Sequence, residues 1–423
     1  MRGVSSSDLE AGRGAATFLW RRAVLGVLAA FVAALALVAG NHGAHAEETA
    51  REAFRKALSA EDRKAFDAYI AAQVFHDAAL DAYWSHVEKK RAQRRAKRSK
   101  GRDFSRSDYV LEQPPVYAGP SLTRRLAAAW STFQDKFEKR PDAPEPEREK
   151  LPTVADFLDS ARRHYNFVPD RVSESEFKRR YAQEALALGL TGAQVVRVYA
   201  LETSGLGTAD MQAVNRAGEP ISTALGYAQL LAANSVSELY KHGASFVERL
   251  RAMASRPRVM ADRRARLIEK ARALERMVRQ ARRLPFKWSR HVAFAKTDVG
   301  RGLHAVNIDG DIGPWLQVIK LRGLKETAEK DGRSRLSGAE MELMNLAGPG
   351  TGLEMMLPLA RSTPTTNFFA RGGYYRNTIV RGKTAEELLL ALDQRMEENL
   401  KNSGAVEFTA IFLRLEAERR AER

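Results

Sequence analysis

The chain of 423 residues contains no cysteine, which excludes a disulfide framework and any thiolate site. Its eight histidines include no His-Glu-x-x-His pair, which excludes the commonest sequence pattern of zinc hydrolases. Long alternation of apolar and polar residues is also missing, and so is any internal repeat. We therefore expect a mainly α-helical fold, with at most a small hairpin in the loop from Gly207 to Ile221.

The first 46 residues differ in composition from the rest of the chain. Arg21 and Arg22 precede an uncharged apolar run over residues 23–40, and small residues follow in Ala44-His45-Ala46. This order is typical of an export signal with a signal-peptidase site. An uncleaved membrane anchor is the alternative, because about 18 apolar residues can just span a bilayer. Either interpretation predicts a periplasmic protein.

Acidic residues are too few to balance the basic ones. The net charge is +17, and removal of residues 1–46, with four Arg and two acidic residues, leaves +15. Such an excess predicts an anionic partner. For an exported protein we expect the cell wall or an anionic membrane surface, and no nucleic acid. A cytoplasmic nucleic-acid binder is the alternative if residues 1–46 are not an export signal.

Composition and periodicity divide the remaining chain into four parts. Residues 47–136 carry apolar residues at three-to-four spacing and predict one long helix or a helical hairpin with a basic end. Residues 137–153 form a linker rich in Pro and charge. Residues 154–400 are predicted to form a helical core, with a basic helical insert at about 245–285, and residues 401–423 a C-terminal helix.

Two basic segments allow more than one interpretation. Nine of the fourteen residues from Lys89 to Arg102, hereafter the basic run, are Lys or Arg. We expect a solvated helix end and loop there, with contact to an anionic polymer as the alternative. In the insert, a narrow apolar stripe predicts a helix packed on one side, and a hairpin that decorates the core is favoured over a binding arm. The stripe comprises Met260, Leu267, Ala271, Leu274 and Val278.

Three helix starts in the core are marked by capping patterns. Ser173 with Glu176, Thr191 with Gln194, and Ser337 with Glu340 each place a hydroxyl three residues before a Glu or Gln.

The second of these helices ends in Glu202, which we interpret as an acid catalyst. Glu202 follows Val195, Val198 and Tyr199 at spacings of seven, four and three residues, so the four side chains share one helical face. That face should be buried. Burial raises the pKa of a carboxyl group, so that Glu202 can hold a proton near neutral pH and donate it to a leaving oxygen.

Three short segments resemble the signatures of soluble lytic transglycosylases in the lysozyme-like superfamily. They are Glu202-Thr203-Ser204-Gly205, Gly226-Tyr227-Ala228-Gln229 and Asn345-Leu346-Ala347-Gly348-Pro349-Gly350. The resemblance covers roughly residues 155–395 and implies a lysozyme-like helical core with an N-terminal helical extension. The third segment departs from the family, because Met344 stands where a Tyr is customary.

The resemblance implies an enzyme that cleaves the β-1,4 bond between N-acetylmuramic acid and N-acetylglucosamine of peptidoglycan and leaves a 1,6-anhydro end. Glu202 would act as acid and then as base. No cofactor and no metal is expected, because the 6-hydroxyl of the sugar is the nucleophile. The expected substrate-binding residues are Ser204, Gly226 (by close backbone approach), Tyr227, Gln229, Asn345, Tyr374 and Tyr375.

Other functions remain open from the sequence. A lysozyme-type hydrolase would need a second carboxylate, for which Asp210 and Glu219 are the candidates. A noncatalytic peptidoglycan-binding or scaffold protein would keep the fold without turnover. The alternation of Asn307, Asp309 and Asp311 predicts a polar turn rather than a calcium loop, because the expected Gly and distal Glu are not in place. Nucleotide binding by the Gly-rich segment at 348–352 is rejected.

Overall fold

A computed structural model describes residues 50–138 and 150–422 of the chain. The chain divides into two compact units, Met1–Arg148 and Glu149–Arg423. The boundary between them falls within residues 137–153, which the composition predicts to be a linker. The predicted export signal or anchor lies outside the described residues. None of the helices in the described ranges is both long and apolar enough to cross a membrane.

The mainly α-helical fold is confirmed. Within the described ranges there is no strand, and pairing of extended segments is limited to isolated antiparallel bridges. One bridge joins Val214 to Pro220, in the loop where a small hairpin is expected. The lysozyme-like character of the core stays a prediction.

The first unit is built on one long helix. Residues 50–56 are helical, α1 covers Ala60–Ser99, a 3₁₀ turn covers Arg106–Asp108, and α2 covers Arg124–Glu138. Ser59 caps α1 by accepting a hydrogen bond from the backbone N–H of Asp62. Aromatic rings from the three helical segments form the core of this unit, namely Phe54, Phe66, Trp130 and Phe133.

The basic run forms the end of α1, and only part of it is solvated. Arg94 is buried, donates to the carbonyl of Asp108 at 2.7 Å and lies over the ring of Tyr109. Burial lowers its pKa to about 10. Lys97 forms an ion pair of 2.6 Å with the same Asp108. The prediction of a fully solvated helix end is therefore corrected: these two cations bind the segment that follows α1.

The second unit consists of helices wrapped around a shared core. The helices are α3 (Val154–Tyr165), α4 (Glu174–Ala187), α5 (Gly192–Thr203), α6 (Ala232–Ala254), α7 (Ala261–Arg282), α8 (Trp288–Lys296), α9 (Asp298–Gly302), α10 (Ile312–Lys330), α11 (Gly338–Ala347), α12 (Pro349–Met355), α13 (Pro358–Arg361), α14 (Arg371–Arg376), α15 (Ala385–Asn399) and α16 (Ser403–Ala421). Two 3₁₀ segments, Leu303–Ile308 and Thr365–Asn367, connect them.

Helix α5 lies at the centre of one half of this unit, in contact with α4, α11, α15 and α16. Its capping box at Thr191 and Gln194 is formed, and so is the box at Ser337 and Glu340 that opens α11. At α4 only half of the predicted box forms. Ser173 accepts from the N–H of Glu176, but the carboxylate of Glu176 pairs with arginines one turn onward.

The basic insert forms a hairpin of α6 and α7 packed on the core. Four of the five predicted stripe residues are buried, namely Leu267, Ala271, Leu274 and Val278. Met260 is 77% exposed, because it precedes α7 at the N-cap position rather than lying on the buried face.

A buried ion cluster fixes α7 to the segment that precedes α10. The ammonium of Lys270 lies 2.8 Å from Asp309 and 2.6 Å from Asp311, and all three side chains are at most 4% exposed. Arg263 and Arg180 also reach Asp311. The predicted polar turn is thus an ion-paired element of the interior, and its carboxylates are already engaged by cations.

We predict that Lys270→Met lowers the free energy of unfolding by about 3–5 kcal/mol, because it leaves buried carboxylates without their central cation. Urea denaturation followed by circular dichroism would measure this. Arg272→Met, at an exposed position of the same helix, is the matched control. Equal stability of the two variants would contradict the role given to the cluster.

Candidate active site

Glu202 lies in the last turn of α5, which ends in a left-handed turn. Ser204 adopts φ 53° and Gly205 φ 65°, and a Cβ on Gly205 would meet the carbonyl oxygen of Asn399 at 2.3 Å. The helix therefore ends next to Glu202. On the shared face Val195, Val198 and Tyr199 are buried as expected, whereas Glu202 keeps partial exposure. Part of this residue therefore reaches the surface.

Asn345 joins Glu202 to a second carboxyl group. Its Nδ2 atom lies 3.2 Å from Oε1 of Glu202 and 3.3 Å from each carboxyl oxygen of Glu342. Glu342 precedes Asn345 by one turn on α11, so both side chains project from the same helical face. The carboxyl groups of Glu202 and Glu342 share this amide and act on each other electrostatically. Helices α5 and α11 therefore meet through polar groups at this point.

Lys320 of α10 fixes the orientation of the Asn345 amide. Its Nζ atom donates to Oδ1 of Asn345 at 3.0 Å. Because an ammonium can only donate, the amide presents its oxygen to Lys320 and its NH₂ group to the two carboxyl groups. We call Glu202, Glu342, Asn345 and Lys320 the carboxyl cluster.

Burial raises the pKa of Glu202 to about 7. Three groups oppose this effect and favour the ionised form: the positive charge of Lys320, and hydrogen bonds from Glu342 and Asn345. Their combined effect leaves the pKa well above the ordinary value of 4.5. Near neutral pH, Glu202 therefore exchanges readily between its acid and base forms.

Burial raises the pKa of Glu342 still further above its ordinary range, and the neighbouring charge of Glu202 adds to that effect. Glu342 is 4% exposed, in contrast to the partly exposed Glu202. Because two neighbouring carboxyl groups in a buried site cannot both ionise easily, the pair retains at least one proton. The more buried Glu342 is the member that retains it.

The second signature, Gly226 to Gln229, forms a tight turn that docks on α10. Gly226 adopts φ 73°, and a Cβ there would meet Nε2 of Gln317 at 2.5 Å. The close approach predicted for a glycan is therefore made to Gln317, inside the protein. Gln229 donates to the carbonyl oxygens of Met211 and Gly226, so its amide holds this turn closed.

Tyr227 is buried and does not face a ligand. Its ring packs at 4.9 Å from that of Tyr199 on α5, and its hydroxyl donates to Glu174 at 2.6 Å. The prediction that Tyr227 binds substrate is wrong, because its ring lies inside the aromatic cluster between α4, α5 and α16. Through Tyr199, however, the second signature supports the helix that carries Glu202.

The remaining predicted contacts differ in exposure. The Ser204 residue is exposed, and its carbonyl oxygen accepts from Asn402 at 2.8 Å. Tyr374 is buried, and its hydroxyl accepts from the N–H of Gly382, so the prediction that it binds substrate is wrong. Tyr375 is 37% exposed and is the member of the pair whose ring can meet a ligand.

The second carboxyl group beside Glu202 is not one of those suggested by the sequence. Asp210 forms an ion pair of 2.8 Å with Arg171, and Glu219 accepts from the side chain of Asn215. Sequence reasoning missed Glu342, although its position one turn before Asn345 was a usable signal. It also missed Lys320. Across the described ranges no group of three or more His, Asp or Glu side chains is arranged to hold a metal ion.

Two concave regions elsewhere in the second unit have volumes of about 510 and 380 Å³. The larger lies between α6 and α7 and is lined by Arg251, Glu275 and Arg279 among others. The smaller lies between α5 and α16. Neither is lined by Glu202, so access to the carboxyl cluster depends on the partial exposure of Glu202 itself.

Comparison with known proteins identifies no relative: no family model matches the chain, and neither a curated protein nor a solved structure does.

The raised pKa of Glu202 predicts a pH-dependent stability. The folded protein favours protonated Glu202, so this contribution is fully present below pH 4.5 and is lost as the pH rises through about 7. From pH 5 to pH 8 the wild type should therefore lose about 2 kcal/mol relative to Glu202→Gln. Urea denaturation at both pH values measures the difference. Glu398→Gln, at an exposed position, is the control, and a Glu202→Gln difference that does not change with pH would contradict the raised pKa.

Proposed function

We propose that the protein is an exported peptidoglycan lytic transglycosylase. The observation that carries the proposal is the contact of Glu202, a partly exposed residue, with Asn345 at 3.2 Å, together with a pKa of about 7 for its carboxyl group. Such a group can give up a proton and take one back within a single reaction cycle. The contact between Glu202 and Asn345 also brings together the first and third signature segments, which lie 143 residues apart in the sequence.

In the proposed reaction, protonated Glu202 gives its proton to the glycosidic oxygen while the bond from that oxygen to C1 breaks. The bonding electrons leave with the oxygen, and Glu202 becomes a carboxylate. The 6-hydroxyl of the same sugar then attacks C1, and its proton passes to Glu202. The enzyme returns to its starting form, and the sugar ends as a 1,6-anhydro ring. No water is consumed.

Hydrolysis with a water-activating base is less well supported. Glycosidases that use two carboxylates hold them about 5–9.5 Å apart, so that a sugar carbon or a water fits between them. Glu202 and Glu342 both lie against Nδ2 of Asn345, at 3.2 and 3.3 Å, so the amide rather than a sugar carbon or a water lies between them. Asp210 is held by Arg171. These observations favour an attack by the substrate's own hydroxyl over an attack by water.

Glu202→Gln should abolish the release of anhydro-muropeptides from purified sacculi while leaving folding and binding to sacculi intact. Loss of a general acid lowers a rate by about 10²–10⁴-fold. Mass spectrometry of the soluble products measures the rate, and Glu398→Gln is the control. Equal rates for wild type and Glu202→Gln would contradict the assignment. Sedimentation with sacculi but no products from the wild type would instead indicate the noncatalytic binding protein.

Binding to sacculi should weaken several-fold as salt rises, because the exposed cations of the basic run are screened. Replacing Lys89, Arg95 and Lys100 with Gln should weaken binding at low salt and flatten its salt dependence, as measured by co-sedimentation. The matched control replaces Arg264, Arg266 and Arg272, exposed on the insert. Equal binding by the two triple variants would contradict a specific role of the basic run.

A further inference from the structure

We propose that Glu342 is a positioning residue that stays protonated and donates a hydrogen bond to Glu202, so that it stabilises the carboxylate formed when Glu202 gives up its proton. The inference rests on the proposed function and assigns a specific partner to its acid. It is carried by the geometry of the carboxyl cluster, in which one amide orients two carboxyl groups of different burial.

The two carboxyl groups have few hydrogen-bond donors available to them. Asn345 has two N–H bonds on Nδ2, and these are directed at Glu202 and Glu342. Lys320 donates to the oxygen of the same amide and therefore prevents it from turning over. With the amide fixed in this way, the two carboxyl groups lie side by side on one nitrogen, and a hydrogen bond between them needs a proton of its own.

The difference in burial between Glu342 and Glu202 decides which carboxyl group carries that proton. Glu342 is buried, so ionising it would place a charge in an apolar interior next to a second carboxylate. Residue Glu202 keeps partial exposure, and the charge of Lys320 favours its ionised form, so a negative charge costs less there. The proton between them therefore stays on Glu342, whose O–H donates to Glu202. Glu342 remains neutral while Glu202 alternates between its two forms.

The charged surroundings of the cluster agree with this assignment. Lys320 is the cation facing both carboxyl groups, and burial lowers its pKa. The pKa of Lys320 is in turn raised by Glu238, as well as by Glu202 and Glu342, and lowered by Lys241. A neutral Glu342 leaves the one cation Lys320 beside the single carboxylate that forms at Glu202. Two carboxylates there would exceed the charge that Lys320 can balance.

Two substitutions of Glu342 separate the proposed role from a merely structural one. In Glu342→Gln the amide keeps the shape, the neutrality and a hydrogen-bond donor toward Glu202, and its oxygen still accepts from Asn345. Glu342→Leu keeps the approximate size but removes the donor. If Glu342 acts as a neutral donor, the glutamine variant should behave like the wild type. The leucine variant should hold the proton of Glu202 more tightly.

The test is a pH titration of the full chain labelled with ¹³C at the Glu carboxyl carbons, followed by NMR. One resonance should titrate near pH 7 and be missing in Glu202→Gln. In Glu342→Gln the midpoint of the Glu202 titration should stay within about half a pH unit of the wild-type value. In Glu342→Leu it should rise by about one unit, equivalent to a tenfold change in proton affinity. The alkaline limb of the cleavage rate should move in parallel.

Several outcomes would overturn the proposal. If Glu342 were ionised, Glu342→Gln would remove a negative charge and lower the midpoint of Glu202 by a unit or more. An unchanged midpoint in both variants would mean that Glu342 does not act on Glu202. Should the leucine variant fail to fold, the shift in Glu342→Gln alone still decides between a neutral and a charged Glu342. Because the titration needs no substrate, absence of cleavage would count against the proposed function and leave this inference standing.

Discussion

The hydrogen bonds that Asn345 donates to Glu202 and Glu342 hold the carboxyl cluster together. They join α5, which carries Glu202, to α11, which carries the other two residues, and Lys320 links both to α10. Each of these helices is positioned by other parts of the second unit. The capping boxes fix where α5 and α11 begin, and the turn at Ser204 and Gly205 fixes where α5 ends.

The chemistry of the cluster reflects a competition between burial and polar contact. Burial alone would hold the proton on Glu202 so firmly that donation to a leaving oxygen would be slow. Lys320, Asn345 and Glu342 each favour the ionised form and bring the pKa down to about 7. A group balanced in this way serves as acid in one half of a reaction and as base in the other. The surrounding fold buries Glu202 and so raises its pKa, and the three neighbouring side chains lower that pKa again.

The sequence predicted the elements of this site better than their surroundings. Glu202 and Asn345 were found from their segments, and the helix boundaries near them from capping residues, because these signals are local in the chain. Glu342 could have been found from its position one turn before Asn345. Lys320 could not, because it lies 25 residues away and only the packing of α10 against α11 brings it near.

The wrong predictions share one physical cause. The resemblance places Tyr227 and Tyr374 among the substrate-binding residues, but the sequence does not tell which side of a turn faces the core. Gly226 was rightly identified as a point of close approach, yet the approaching group is Gln317. In each case a nonlocal contact inside the second unit decides the role, and local pattern carries no information about it.

The central claim is that Glu202 cleaves a glycosidic bond with a proton and without water. The most direct test is digestion of purified sacculi in water enriched in ¹⁸O, with mass spectrometry of the new ends. The proposed reaction predicts 1,6-anhydro ends that carry no ¹⁸O. Reducing ends that carry one ¹⁸O atom at C1 would show hydrolysis, and the absence of any new ends would show that the carboxyl cluster is not an active site; either result would contradict the account.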